Sequence, residues 1–377
     1  MNWSDEERRW AQAAAEKLAA KMKPVTERNR DKIPYTAANG VFDDKSTTDI
    51  NWWTNGFWGG MMWQLYTLTG DSLYRETAVK TEEKLDAVLM DANGLDHDNG
   101  FKWLPTAVAH YRAEKDAASL NRGILAANNL AGRFNLAGRF IRAWNDWGDD
   151  DHRGWAIIDC MMNLPLLYWA SEETKDPRFE QIARAHADTA SRCFVRDDGS
   201  VNHIVEFDPV SGEMVRTYGG QGFGVGSSWT RGQSWGLYGF TLSYIHTKDE
   251  RYLNTARRIA HYYLANIPEN GLIPVDFRQP ADCQWEDSTS AAIAACGLLE
   301  LSKYVEEADS RIYRRAAMKL LTALDEKRCS WDPGTDELLE RCTAAYHDEA
   351  HEFPIIYGDY YFIEAVMKLL EKELFIW

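Results

Sequence analysis

The segment "TGDSLYRETA", beginning at Thr69, has two close copies in this chain, "TKDPRFEQIA" at Thr174 and "TKDERYLNTA" at Thr247. Each carries Thr-x-Asp, an aromatic residue three positions after the Asp, and an Ala four positions after that. A looser copy, "ADSRIYRRAA", begins at Ala308, and "KDAASLNRGILA" at Lys115 keeps the Asp. Recurrence of this kind restricts the chain to stacked copies of one supersecondary unit. The physical content of a copy is a turn followed by a helix: the Asp accepts from exposed amides of the first turn, and the aromatic begins an apolar stripe of helical period.

A more apolar segment precedes each copy, over residues 56–68, 100–113, 158–171, 232–246 and 288–305. A sixth, over 358–370, has no amphipathic partner after it, while the amphipathic stretch 5–22 has none before it. Pairing the two ends gives six helical hairpins. Helices of mixed polarity belong outside with one face wet and the apolar ones inside, so the expected fold is all-α, an (α/α)6 barrel or toroid forming one domain over 1–377. An open solenoid is the rival arrangement, but its terminal repeats would have to cap themselves, and the split sixth hairpin favours closure. Strand-like pieces such as "GSVNHIVEF" (199–207) are expected as short hairpins on the rim.

Composition narrows the setting. A net charge of −16 argues against nucleic acid or an anionic membrane as partner. The longest apolar run, 157–170, is interrupted by Asp159, Asn163 and Pro165 and is too short to span a bilayer. The opening "MNWSDEERRWAQ" lacks the basic head and apolar block of a signal peptide, so a cytoplasmic location is expected. Six cysteines without a C-x-x-C pair read as reduced core residues, and "GDDDHRG" (148–154) as a solvated loop; no metal site is expected. Oligomeric state stays open.

In a closed ring the N-terminal ends of the inner helices converge on one face. Those ends read "NWWTNGFWGG" from Asn51, "HDNGF" from His97, "IIDCMMN" from Ile157, "SSWTRGQSWG" from Ser227, "WEDSTSAAI" from Trp285 and "YGDYYF" from Tyr357. Taken singly, the acids and amides are ordinary N-caps and each Trp is core filling. Taken together, Trp52, Trp53, Trp58, Trp103, Trp229, Trp235 and Trp285 beside polar groups describe an aromatic-lined pocket suited to sugar rings. Arg231, beside Trp229, is either one arm of a surface salt bridge or a local cation for a substrate carboxylate. His97, next to Asp98, is balanced between a structural and a site role. His203, Tyr346 and His347 are weaker candidates.

In order along nearly the whole chain, "NWWTNGFWGG", "LDHDNGF", "IIDCMMNLPLLYWA", "SSWTRGQSWG", "WEDSTSAAIAACGLLE" and "YGDYYFIEA" resemble the unsaturated glucuronyl hydrolases, glycoside hydrolase family 88. The resemblance implies an (α/α)6 barrel that needs no metal or other cofactor. It implies action on the 4-deoxy-4,5-unsaturated uronic acid that polysaccharide lyases leave at the non-reducing end of oligosaccharides. It makes Asp159 the catalytic acid and Asp98 the second essential carboxylate, with Trp53, His97, His203, Gln221, Trp229, Arg231, Trp235 and Tyr346 around the bound sugar. Two alternatives stand beside it: an unsaturated rhamnogalacturonyl or galacturonyl hydrolase of the same fold, and a non-catalytic helical-repeat carbohydrate-binding protein. Sulfate-reading members resemble one another in a Ser- and Lys-containing loop before the last inner helix; here "YHDEAHEFPIIYGD" (346–359) is acidic and has neither, so sulfate is expected to be disfavoured there.

Asp159 stands at the head of an otherwise apolar segment. Such a wall disfavours the ionised carboxylate and raises its pKa toward neutrality, and a negative neighbour, Asp98, is expected to push the same way. A carboxylic acid protonated at working pH is a usable general acid. By the family chemistry it protonates C4 of a vinyl ether, and a water then adds at C5. Pro165 and Pro105 are tolerated only near a helix start, which places both acids on the segments leading into their helices.

Overall fold

The computed structural model describes residues 3–91, 93–148 and 150–377. Inner helices run over Phe57–Thr69, Asn99–Trp103 continuing to Ala109–Glu114, Leu164–Thr174, Thr230–Thr247, Ser288–Leu301 and Ile356–Leu369. Outer helices run over Asp5–Asn29, Ser72–Leu89, Ala117–Gly132, Pro177–Cys193, Glu250–Asn266 and Glu307–Lys327. Each inner helix packs on the next, and the last packs on the first as well as on the opening outer helix, so the ring is closed and the sixth hairpin joins the two ends of the chain. The second inner helix passes through a π-helical turn at Leu104–Val108 that accommodates Pro105. Three expected boundaries move: the opening outer helix continues through Pro24 to Asn29, following buried Val25, Thr26 and Asn29, the third inner helix starts at Leu164 after a separate 3-10 turn over Ile158–Met162, and the fifth inner helix stops at Leu301.

The repeated Thr-x-Asp performs two jobs. Thr69, Thr174 and Thr247 each donate their hydroxyl to the carbonyl four residues back, at 2.6–2.7 Å, and accept the amide of the following Asp at 3.2–3.3 Å. The Asp then caps the outer helix: Asp71, Asp176 and Asp249 accept from Leu73, Arg178 and Arg251 at 3.0–3.1 Å. Asp116 caps at Ser119 in the same way. One motif thus ends an inner helix and starts an outer one, and its aromatic (Tyr74, Phe179, Tyr252) is buried against the ring. The copy at Ala308 departs from this. Its helix begins at Glu307, so Asp309 falls inside the first turn, caps nothing and instead pairs with Arg257 at 2.8 Å.

Close approach of inner helices depends on two glycines. A Cβ at Gly56 would lie 2.2 Å from the Phe101 carbonyl oxygen, and one at Gly60 would lie 2.8 Å from the Tyr360 ring. The far end of the ring is filled by the segment after the last helix. Trp377 is buried, stacks on Tyr361 at 5.8 Å between centroids, reaches Phe57 and Phe101, and donates its indole N–H to Glu364 at 2.6 Å. Beside it Lys368 is buried among Glu300, Glu364 and Glu373, a cluster in which each charge has an opposite partner.

Rim elements are more extensive than expected. The segment 199–207 contributes Ile204–Phe207 to a three-stranded antiparallel sheet, between Trp155–Ile157 and Met214–Tyr218, whose first strand leads into the approach to the third inner helix. In the loop expected to be solvated, His152 is buried and stacks on Trp147 at 3.7 Å, since the neighbouring Trp144 and Trp155 give it an apolar wall; Asp149 of that loop lies outside the described residues. Among the described residues no helix is long and apolar enough to cross a membrane.

The cap has a measurable consequence. Asp176→Ala removes an N-cap acceptor and is expected to destabilise the protein by about 1 kcal/mol, whereas Asp309→Ala, at a position that caps nothing, is expected to cost only a few tenths. Chemical denaturation of the two variants side by side checks this.

Candidate active site

Asp98 occupies the residue before its helix, the position of an N-cap, yet its side chain accepts from no helix amide. It receives the Asn163 amide at 3.3 Å instead. Asp159 sits in the single 3-10 turn Ile158–Met162, between the strand Trp155–Ile157 and the third inner helix. Asn163 closes that turn and ties the two segments together: its NH2 also reaches the Asp159 carbonyl at 3.4 Å, and its oxygen accepts the Phe101 amide at 2.8 Å. Both acids therefore stand at the starts of inner helices without serving as caps. Asp287 and Asp359 behave in the ordinary way. The first caps the fifth inner helix, and the second accepts the Leu338 and Leu339 amides at 3.1 and 2.7 Å.

Burial dominates the electrostatics. It pushes the Asp159 carboxyl up to about 7, against Arg231, whose positive charge pulls it down, and against the nearby Trp235 indole, which has no well-formed hydrogen bond to it. The apolar wall outweighs the cation. The two acids also repel one another. Asp98 is raised well above the usual carboxylate range by burial first, then by the negative charges of Asp96 and Asp159, with Lys102 and the Asn163 bond opposing. Asp359 is also pushed up to about 7 by burial, but its two backbone donors fix it as a structural group.

His203, a weak candidate from the sequence, comes directly to the centre. Its Nε2 is 3.6 Å from Asp159 Oδ1, and its ring lies 4.3 Å from that of Trp229. Nδ1 accepts the Gln221 backbone amide at 3.0 Å, and burial lowers the pKa to about 3. The neutral ring must then carry its proton on Nε2, aimed at the carboxyl. His97 is also wholly buried and held neutral, with its pKa lowered to about 4 by burial; its Nε2 lies 3.4 Å from Asp98 Oδ1.

Arg231 is no surface residue. It is fully buried, donates Nε to Asp287 at 3.1 Å and a terminal nitrogen to the Thr343 and Ala344 carbonyls, and lies 4.5 Å over the Trp229 ring. Gln221 joins the same cluster, donating its amide to the Ala344 carbonyl at 3.0 Å and accepting the Tyr346 backbone N–H. Tyr346 packs edge-on to Trp285, and burial is the largest cause of its pKa rise to about 12.

The tryptophans divide. Trp53 is half-buried, stacks near Tyr357, and with Trp52, Trp144, Asp96 and Asp98 lines a recess of about 340 Å3. Trp285 and Tyr346 line another recess, of about 520 Å3. Trp58 and Trp103 are core filling, fully enclosed between helices, and are removed from the pocket set. His347 stays apart: it is exposed and hydrogen-bonds the Phe223 carbonyl. A more voluminous hollow, about 820 Å3, lies outside the ring between the first and last outer helices, where none of these groups is found; volume alone does not locate the chemistry.

Sequence reasoning missed Asn163, Asp287 and Lys102. Asn163 carried a signal, an amide at the end of the same apolar run as Asp159. The other two act across the ring, Asp287 as the partner of Arg231 and Lys102 by donating to Asn51 Oδ1 at 2.8 Å, and nothing local marks them.

An α/α toroid whose open end holds two buried carboxylates among indoles, neutral imidazoles and one buried guanidinium is the construction of a glycoside hydrolase. The sequence profile of Glycosyl Hydrolase Family 88 matches residues 25–244, and the chain belongs to that family. It is 38% identical over 372 residues to the unsaturated glucuronyl hydrolase of Bacillus sp. (strain GL1), covering 96% of each chain. It is 34% identical over 332 residues to the unsaturated chondroitin disaccharide hydrolase of Streptococcus pneumoniae, covering 86% of this chain and 83% of that one. Among solved structures, unsaturated glucuronyl hydrolase from Streptococcus agalactiae superposes with a TM-score of 0.89 at 30% identity, covering 100% and 95% of the two chains. The Bacillus sp. GL1 enzyme superposes at 0.87 and 34%, covering 94% and 96%.

A carboxyl raised by burial has a signature in stability. Folded Asp159 binds its proton more tightly than the unfolded chain, whose value is 3.8, so its stabilising share is full below that pH and is lost as pH rises toward about 7. Asp159→Asn is therefore expected to leave stability nearly unchanged at pH 4 and to raise it at pH 8, by up to roughly 4 kcal/mol. Thermal unfolding of both proteins across that range measures the difference.

Proposed function

We propose that this protein is an unsaturated glucuronyl hydrolase. It removes the 4-deoxy-4,5-unsaturated uronic acid from the non-reducing end of lyase-generated oligosaccharides, of glycosaminoglycan or similar origin. The observation that carries the reading is Asp159: an enclosed carboxyl, protonated near neutral pH, facing a neutral imidazole and lying in the field of a buried arginine. The relatives support it. One structural relative is a complex with dGlcA-Glc-Rha-Glc, superposing at a TM-score of 0.87, and another is a complex with dGlcA-GalNAc6S. Six free cysteines agree with a cytoplasmic site of action.

In this reading the substrate's C4=C5 bond is part of a vinyl ether. Asp159, protonated, gives its proton to C4, and the ring oxygen delocalises the positive charge left at C5. Water adds at C5 and loses its proton to the ionised Asp159, restoring the acid; the hemiketal opens and expels the remaining sugar. One acid–base group completes the cycle. Asp98, aimed by Asn163, holds sugar hydroxyls. His203, through Nε2–H, stabilises Asp159 in its ionised phase. Trp53, Trp229 and Trp235 wall the ring, His97, Gln221 and Tyr346 complete its surroundings, and Arg231 attracts the uronate carboxylate with the donor capacity that Asp287 and the carbonyls leave.

The test is optical. Loss of the conjugated-alkene absorbance of an unsaturated chondroitin or hyaluronan disaccharide is expected with wild type, and a rate lower by at least about 100-fold with Asp159→Asn. No loss with wild type, on these and on a rhamnogalacturonan-derived disaccharide, would overturn the reading. Because the protonated form of Asp159 is the active one, kcat/KM should fall as pH rises through about 7.

The reading extends to sulfate. In the loop before the last inner helix Asp348 and Glu349 are exposed, and Glu352 pairs with Arg341 at 3.1 Å, so a sulfate there meets carboxylates. A 6-sulfated chondroitin disaccharide is expected to show kcat/KM about tenfold or more below its unsulfated counterpart. Equal values for the two would remove this part.

A further inference from the structure

A recess of about 540 Å3 on the rim, separate from the pocket just described, lies where the third outer helix, Ala117–Gly132, ends, against the hairpin formed by Phe134–Asn135 and Phe140–Ile141. Three arginines line it, Arg133, Arg142 and Arg153, together with asparagine side chains, Phe134 and Pro209. Among the described residues no carboxylate lines it, in a protein of net charge −16.

The arginines are incompletely satisfied. Arg133 spends its donors on neutral acceptors, the carbonyls of Arg142, Leu95 and Ala143 and the side chain of Asn145, at 2.9–3.1 Å. Arg142 gives a terminal nitrogen to Asp146 at 2.7 Å, but its Nε is buried with no acceptor. A buried N–H left without a partner is costly, and folded proteins rarely keep one. The two guanidinium groups also repel, since the charge of Arg142 lowers the pKa of Arg133, after burial. Arg153 is exposed and, among the described residues, is ion-paired with exposed Asp151, a pair that gives way readily to another anion.

We propose that this recess binds the oxyanion of an acidic saccharide, such as a uronate carboxylate, at a site distinct from the catalytic pocket. The anion lies against Arg142 and Arg153, whose carboxylate partners Asp146 and Asp151 are themselves exposed, and beside Arg133, whose hydrogen bonds go to neutral acceptors. Phe134 and Pro209 border the space and give a sugar ring an apolar face, while the Asn135 and Asn145 amides, hydrogen-bonded within the protein, hold the rim in shape. A bare anion would not use that face. Arg133 grips the Ala143 carbonyl, which also accepts the His97 amide at 3.1 Å, so the recess is built on the same loop that places His97 and Asp98.

Isothermal titration of the full chain with sodium D-glucuronate, with sodium sulfate and D-glucose as controls, tests the proposal without depending on turnover. Glucuronate is expected to bind, and binding at this site should weaken at least tenfold in Arg142→Gln and three- to tenfold in Arg153→Gln, whose exposed position leaves the fold intact. Alkene loss at saturating substrate should stay within twofold of wild type in both variants. Glucuronate binding that neither variant weakens overturns the proposal. So does sulfate binding as tightly as glucuronate with the same Arg142 dependence, which would make the recess a simple anion hole, and so does equal binding of D-glucose.

Discussion

The packing of the last inner helix on the first is the contact on which the site depends. Gly60 allows the Tyr360 ring to approach its backbone, and Gly56 does the same for the second helix, so the six N-terminal ends meet around one axis. Were the ring open, Asp98 and Asp159 would line a wet groove and titrate as ordinary carboxylates. Closure surrounds them with aliphatic and aromatic side chains, and that desolvation turns Asp159 into an acid of near-neutral pKa. The chemistry is a property of the whole toroid more than of any one motif.

Charge is distributed with the same logic. The surface is strongly acidic, while Arg231, Lys102 and Lys368 are buried, each beside anionic or carbonyl partners. Surface charge is screened over about 8 Å in physiological salt, whereas an enclosed guanidinium acts with little screening on what stands next to it. An acidic protein can thereby receive an acidic sugar. Arg231 also restrains Asp159: without it, burial would push the carboxyl higher still, and the acid would part with its proton less readily.

The parts legible in the sequence were those with local causes. Thr-x-Asp recurs because every hairpin must stop one helix and cap the next, and both bonds lie within a few residues. Asp159 stood out because an acid in an apolar run is locally anomalous. Where the cause is tertiary, the sequence was mute: nothing in 199–207 indicates that a rim strand returns His203 to Asp159, nor does "SSWTRGQSWG" indicate that Asp287 and two loop carbonyls occupy Arg231. The tryptophans illustrate the same divide. Trp53 and Trp58 share one motif, but the first lies in the turn before the helix and faces the mouth, while the second lies in the helix and faces the core. The charge coupling between the acids was anticipated, but the cation from another hairpin that opposes it at Asp159 was not.

Trp377 gives the barrel a floor. With its indole stacked on Tyr361 and reaching Phe57 and Phe101, the axis is blocked directly beneath the aromatic wall of the site. Among the described residues the cavity is a cup closed at that floor. A chain that inserts its end can advance no further than that floor, so an internal sugar of a polymer has no path to the acids. Whatever is released leaves by the opening through which the substrate arrived, and each turnover must empty the cup before the next chain end can take its place.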